Sequence, residues 1–356
     1  MAIKNPVCAS LSFVNMFAAH FNETGSSESL HMGEVDIPII TENDVLIQVY
    51  ASAVNRADIL QRQGKYPPPP GKSSILGLEA AAIVHKIGSS VTKWKVGDKV
   101  MALCNGGAYA QYVAVNADHV MPIPPNLNYG SAAAIPEAWL TAFQLLHTLG
   151  EVKSGETVLI HAAGSGVGTA AIQLAKLAKA VIIATAGTEQ KLANSKMYGA
   201  EHIICYKKKD FAEEVMSLTN GKGVDLVLDC VGGSYWEKNI KCLAKDGRWI
   251  LYGLLGGPHV NGNLLGQLLA KRIKLTATTL RSRSDEYKSE LVKDFSNKIL
   301  DHFKNGDFKP VLDSTFSINE LPAAHERMEA NQNMGKIVLI VKEKDCDEEG
   351  KCGLSD

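Results

Sequence analysis

One stretch constrains this chain more than any other: Gly155-Glu156-Thr157-Val158-Leu159-Ile160-His161-Ala162-Ala163-Gly164-Ser165-Gly166-Val167-Gly168-Thr169-Ala170-Ala171-Ile172-Gln173-Leu174. The apolar run 157–163 predicts a buried parallel strand, and the pattern from Val167 to Lys179 predicts a helix. Between them lies a turn of small residues. Strand, glycine-rich turn and helix in this order are the first half of a dinucleotide-binding βαβ unit. A pyrophosphate must approach backbone N–H groups at a helix N-terminus, so side chains there have to be nearly absent. The glycines do not fit G-x-G-x-x-G literally, because that spacing places Ala163, Ser165 and Gly168 at its three glycine positions. A tight strand–helix turn would use the same residues, so the order of the surrounding elements has to decide.

That order is favourable. From Glu156 on, apolar runs at 157–163, 181–186, 202–205, 224–230, 248–254 and 273–279 alternate with helical segments near 167–179, 189–198, 210–219, 234–243 and 263–271. Strands joined by crossover helices predict a doubly wound parallel sheet, with its ligand beyond the carboxyl ends of the strands at the Gly-rich turn. Before it, short strands divided by Gly, Pro and Asn (45–54, 80–87, 108–115, and a turn at 96–100) predict a β-rich, barrel-like domain. Residues 129–149 read as a linker helix interrupted at Pro136, capped by Asn128 or Ser131. After the parallel sheet, a helix (286–303), a strand (311–316), a helix (319–331) and a strand (336–341) are expected to rejoin the first domain. The fold class is therefore α/β, a Rossmann sheet plus a β-rich domain. The expected limits are 14–137 for the first part of the β-rich domain, 138–287 for the Rossmann domain, 288–343 for the return, and 344–356 for a disordered acidic tail.

Composition narrows the partners. The 37 basic and 38 acidic residues give a net charge of −1, which offers no electrostatic footprint for nucleic acid or an anionic membrane. No apolar run approaches the roughly 18 residues of a membrane span, and no basic leader feeds an apolar core in the first thirteen residues. The seven cysteines are scattered without a C-x-x-C pair, as expected of reduced thiols in the cytoplasm.

The dinucleotide is predicted to be NADPH. An NAD site places an acid at the tip of the second strand for the ribose hydroxyls; here the strand ends Ala184-Thr185-Ala186-Gly187-Thr188. Thr188 can donate to a 2′-phosphate and Lys191 can supply charge, provided Glu189 faces solvent. Tyr206 ends the third strand on the same side, whereas Lys207 to Lys209 read as a solvated charge run.

Asn55-Arg56-Ala57-Asp58, Gly77-Leu78-Glu79 and Val96 to Val100, with the sheet behind them, resemble the medium-chain dehydrogenase/reductase superfamily from Met16 to Val341. Within it the chain is similar to the zinc-free quinone oxidoreductases, most closely the tumour-suppressor-inducible group. The similarity is carried by 55–58 running into Tyr66-Pro67-Pro68-Pro69, by 134–146, by 232–239, and by Leu280-Arg281-Ser282-Arg283. Zinc-dependent members have Cys where Asn55 stands and His where Leu78 stands, so the resemblance implies no metal site, and the residues hold no ligand cluster of their own.

The resemblance implies a GroES-like catalytic domain and an NADPH-dependent reduction of quinones. Tyr66 would stack on or hydrogen-bond the quinone, and Asn55 and Thr141 would line the same cleft. Ser165, Gly166, Val167 and Gly168 would take the pyrophosphate, and Gly187, Lys191 and Tyr206 the adenosine phosphate. Gly253, Leu254, Thr279, Leu280 and Arg281 would touch the nicotinamide half. Ser165 could instead merely cap the helix, Arg281 and Arg283 could form interdomain salt bridges, and His161 reads as a strand residue facing a neighbour. A homodimer through the strand at 273–279 is also implied. Reduction of an α,β-unsaturated carbonyl, or a non-catalytic NADPH-binding role, remain open alternatives.

Overall fold

The computed structural model describes residues 15–342; the acidic tail expected to be disordered lies outside them. The chain opens with an antiparallel hairpin, β1 (Asn15–Phe21) and β2 (Leu30–Asp36), then crosses into β3 (Asp44–Val54). The short helix α1 (Arg56–Arg62) leads through the proline run to β4 (Glu79–Ile87), β5 (Lys99–Leu103), β6 (Tyr112–Asn116) and β7 (Val120–Pro122). The expected strand at 108–115 is thus cut to its second half, because Gly106 and Gly107 take positive φ values and turn the chain in front of it.

Two helices follow, α2 (Tyr129–Ala133) and α3 (Pro136–Phe143), and then a π-helical turn over Gln144–Leu149. Asn128, not Ser131, caps α2 by accepting from the Ser131 amide at 2.8 Å. Pro136 starts α3 at a position where its missing N–H costs nothing.

The parallel sheet comes next. Its units are β8 (Thr157–Ile160), α4 (Gly166–Leu177), β9 (Val181–Ala186), α5 (Glu189–Tyr198), β10 (His202–Cys205), α6 (Phe211–Leu218), β11 (Val224–Asp229), α7 (Trp236–Cys242), β12 (Leu243–Leu251), α8 (Leu264–Lys271) and β13 (Lys274–Ala277). The six strands run in the order β10-β9-β8-β11-β12-β13 and every pair is parallel. β8 stops at Ile160, short of the expected Ala163, because Ala162 turns to a φ of +49°. β12 begins at Leu243, earlier than expected, pairing first with Val224 across a register shift.

α9 (Asp285–Lys304), β14 (Leu312–Ser317), α10 (Leu321–Glu329) and β15 (Lys336–Ile340) complete the described chain. The two strands extend the first sheet, in the order β14-β15-β3-β4-β5-β7 with β6 on β3. The expected limit at 287/288 falls inside α9, which is one continuous helix.

One apolar core joins the two sheets. It runs from Ala51, Ala81, Met101 and Met121 through Ile135, Trp139 and Phe143 to Val158, Ile160, Leu226 and Ile250. Trp139 and Phe143 also meet Phe303 and Phe295 of α9 edge to face. Aromatic burial of this kind, about 150–250 Å² per ring, fixes how the α2–α3 segment sits between the sheets. The cleft above α3 is therefore held in place from below. Among the described residues no helix is long and apolar enough to cross a membrane.

Candidate functional site

The Gly-rich turn lies at the carboxyl end of β8, between β9 and β11, where the strand order reverses. A Cβ on Gly168 would come within 2.5 Å of the Ala162 carbonyl oxygen and 2.7 Å of the Ala163 Cα, so only glycine lets α4 pack this close to the strand. Ser165 Oγ accepts from the Gly168 amide at 3.0 Å and caps α4. Two lysines roof the turn. A Cβ on Gly164 would meet the stem of Lys191 at 2.8 Å, and one on Gly166 would meet Lys336 Cδ at 2.5 Å. A three-turn helix N-terminus and a side-chain-free cradle fit a dinucleotide pyrophosphate; the two ammonium groups turn elsewhere, Lys191 to the Asn331 carbonyl at 2.7 Å and Lys336 to Glu79.

On the second strand's side, Tyr206 and Lys207 come together over Gly187. A Cβ there would lie 2.7 Å from the Tyr206 hydroxyl and 3.2 Å from Lys207 Cε. Thr188 caps α5, accepting from the Lys191 amide at 3.3 Å. Glu189 pairs with Lys208 at 2.8 Å, both well exposed, and so faces solvent. Lys209 pairs with Glu214. Lys207 has no ion pair among the described residues, and its charge, with that of Arg56, bears on Lys191. Burial is the main reason the Lys191 ammonium is lowered, with these two cations adding to it against Asp313. The sequence reading passed over Lys207; its spacing from Gly187 across two strands leaves no local signal.

The other half of the site faces α3. Tyr66 is half-buried, its ring 5.9 Å from the Arg281 guanidinium. Burial, and then the nearby Glu137 charge, raise the phenol above its usual range, so it stays a donor at neutral pH. Thr279 meets Ser282 at 2.5 Å, and Leu280 is buried beneath it. Gly253 packs on the Cys230 backbone at the end of β12, leaving Leu254 exposed. Arg281 does not turn to the phosphate side. It is buried and donates to Gln61 Oε1 at 2.6 Å and to the Asn105 carbonyl at 3.1 Å, tying the two sheets together under Tyr66. His161 lies one residue past β8 in the turn, not in the strand as expected, and its ring is held by Thr185 and Asn239.

A charged cluster that the sequence did not single out completes the site. Glu79 Oε1 takes hydrogen bonds from Asn55 Nδ2 at 2.8 Å and Lys336 Nζ at 2.7 Å, and Oε2 takes one from the Glu137 amide at 2.9 Å. Lys336 Nζ also donates to Asn55 Oδ1 at 2.6 Å and to the Val54 carbonyl. Asp58 lies behind, accepting from Gly77 N, Asn55 N and the Tyr109 hydroxyl, and burial brings its carboxyl up to about 6. Glu137 heads α3, one turn before the buried Thr141 on the same helix face. Its carboxyl makes no hydrogen bond or ion pair among the described residues. Burial and then the Glu79 charge push it up to about 8.

This donor set does not fit zinc. Asn55 is committed to Glu79 and Lys336, Leu78 is a buried hydrocarbon, and among the described residues no group of three or more His, Cys, Asp or Glu side chains could hold a metal ion. A cavity of about 560 Å³ is lined by residues such as Lys72, Tyr112 and His119 and meets the site residues only at Asn105, the acceptor of Arg281.

Comparison with known proteins gives the family. Residues 41–125 match the alcohol dehydrogenase GroES-like domain and 166–297 the zinc-binding dehydrogenase model. A quinone oxidoreductase of Pseudomonas aeruginosa is 33% identical over 83% of this chain and 91% of its own length. The chain belongs to the medium-chain dehydrogenase/reductase superfamily. Other superfamily relatives are longer: the synaptic vesicle membrane protein VAT-1 homolog of Danio rerio is 31% identical over 86% of this chain, which spans 66% of it. A squalestatin tetraketide synthase of Cochliobolus lunatus is 35% identical over 90% of this chain, which spans 13% of it. Among solved superfamily structures, Escherichia coli quinone oxidoreductase complexed with NADPH superposes with a TM-score of 0.83 at 32% identity, covering 92% of this chain and 100% of that one. The CurK enoyl reductase superposes with a TM-score of 0.82 at 27% identity, covering 92% and 99%.

Proposed function

We propose that the chain is an NADPH-dependent, zinc-free quinone reductase of the tumour-suppressor-inducible kind. The observation that carries this reading is the polar cluster at the head of α3. Asn55, Glu79 and Lys336 are committed to one another and are not free to hold a metal ion, and the charge of Glu137 beside them bears on the Tyr66 phenol. NADPH supplies the hydride. The α4 N-terminus holds its pyrophosphate, while Lys191, Lys207, Tyr206 and Thr188 select the 2′-phosphate. Tyr66, with the Arg281 guanidinium 5.9 Å from its ring, donates to a quinone oxygen. A ring already poor in electrons accepts a hydride without a Lewis acid, which is why quinones suit this cleft.

The similarity to the CurK enoyl reductase favours a second reading: reduction of an α,β-unsaturated carbonyl. Loss of reduced-nicotinamide absorbance with an ortho-quinone, a para-quinone and an alkenal, each with NADPH and NADH and with and without chelator, separates the two. Quinone turnover that prefers NADPH and ignores chelator is the expected result. Preference for the alkenal would replace the substrate class. Cofactor binding without any turnover would leave a non-catalytic NADPH-binding protein.

The chain is further proposed to act in the cytoplasm as a homodimer without nucleic-acid or membrane partners. The exposed Leu265 and Leu269 of α8 and the unpaired edge of β13 beside them support the dimer. Apolar surface of this sort next to a free strand edge is normally covered.

A further inference from the structure

Glu137 is the one carboxyl of the cleft that nothing holds. Its backbone amide is fixed by Glu79 at 2.9 Å, and Pro136 before it sets the start of α3, so its Cα position is rigid. Its side chain makes no hydrogen bond or ion pair among the described residues, and it is half-buried. Its charge bears on Tyr66, Arg281 and Cys104, so the carboxyl lies within electrostatic reach of the Tyr66 phenol.

The groups around it come from every element packed there. Glu79 of β4 and Asp58 of α1 are anionic or acidic, Lys336 of β15 and Arg281 after β13 are cationic, Lys288 of α9 is more distant, and Tyr66 and Cys104 are neutral. The cations are already engaged: Lys336 by Glu79 and Asn55, Arg281 by Gln61 and Asn105, Lys288 by Asn105 and the Arg281 carbonyl. None remains to neutralise a second carboxylate beside Glu79. Like charges sharing a buried site cannot both ionise readily, so Glu137 keeps its proton at neutral pH.

We propose that Glu137 is a catalytic residue, the acid that protonates the acceptor oxygen as the hydride arrives. The inference rests on the reductase reading above and deepens it. A quinone that takes a hydride gains two electrons and one hydrogen and becomes a hydroquinone monoanion. The Glu137 O–H bond breaks, an O–H bond forms on that oxygen, and the neutral hydroquinone leaves. The glutamate then regains a proton from water. Tyr66 stays protonated throughout and positions the oxygen by hydrogen bonding.

The test uses the full chain and begins without turnover. Carboxyl-edited NMR of the protein with labelled glutamate should show one resonance titrating near pH 8, absent in Glu137→Gln. In quinone reduction by the wild type, kcat should hold below that pH and fall above it, with a solvent isotope effect. Glu137→Gln should lower kcat roughly 100-fold or more, the range of a lost general acid, remove that basic limb, and leave the NADPH Kd within about twofold; Glu137→Asp should restore part of the rate. A wild-type carboxyl that titrates in the ordinary range, or a Glu137→Gln protein with unchanged kcat and the same basic limb, overturns the proposal. If the wild type reduces an alkenal and not a quinone, the quinone reading fails. The same pH limb and variant then decide the role of Glu137 on the enolate. Absence of turnover with every acceptor overturns it as well.

Discussion

Lys336 and Glu79 form an ion pair of 2.7 Å with side chains 5% and 0% exposed, joining β15 to β4 directly beneath the Gly-rich turn. The same lysine lays its stem against Gly166 and donates to Asn55. One residue from the end of the described chain therefore couples the cofactor cradle to the acceptor side of the cleft.

Lys336→Met should be severely destabilising, because it leaves Glu79 charged and unpaired inside the protein. Losing one partner of a buried pair costs about 3–5 kcal/mol, readable as a lowered midpoint in urea. The double variant Glu79→Gln/Lys336→Met should recover a large part of that loss. A strictly additive double variant would show that the two residues are not coupled.

Gly168→Ala should damage folding and cofactor binding together, since the added Cβ meets backbone 2.5 Å away and not a movable side chain. The expected cost is about 1–3 kcal/mol. Ser165→Ala should behave differently, losing about 1 kcal/mol for the cap and little NADPH affinity. Tight binding lost in Ser165→Ala at full stability would assign the hydroxyl to the phosphate.

Lys207→Ala and Lys191→Ala should each weaken NADPH by roughly tenfold, as removal of a charge-assisted hydrogen bond of about 1.5 kcal/mol does, and leave NADH nearly unchanged. Lys208→Ala, whose lysine is occupied by Glu189, serves as the neutral control. Isothermal titration with both dinucleotides gives the answer.

Glu137 also makes stability depend on pH. Its carboxyl is raised in the folded state, from 4.5 to about 8, so the stability it contributes is full below pH 4.5 and is lost as pH rises through 8. Glu137→Gln should flatten that decline and melt a few degrees above the wild type near pH 8.5, with the difference closing near pH 5. Parallel melting curves at all pH values would contradict the raised pKa.

Leu265→Lys with Leu269→Lys should shift the sedimentation coefficient towards the monomer without lowering NADPH affinity, since both side chains are exposed and distant in sequence from the cradle.

The parallel sheet was legible because its signals are local. A short apolar run followed by small residues and a helical period has one economical solution, and repeating it along the chain leaves only a doubly wound sheet. Residues such as Gly168 and Gly187 could be read for the same reason: each answers a demand of the turn it sits in. The strand ends were misjudged where a single backbone angle decides them, as at Ala162.

The sequence by itself determined the fold class and the glycine-rich turn that ends β8. Tertiary structure alone decided that Arg281 ties the sheets together, that Lys207 stands over Gly187, and that Glu79, Lys336 and Glu137 share one buried site. These residues come from β4, α3 and β15 and lie far apart in the chain. Their charges meet only after the apolar core has docked the last strand against the first sheet, and burial then sets which of them is ionised.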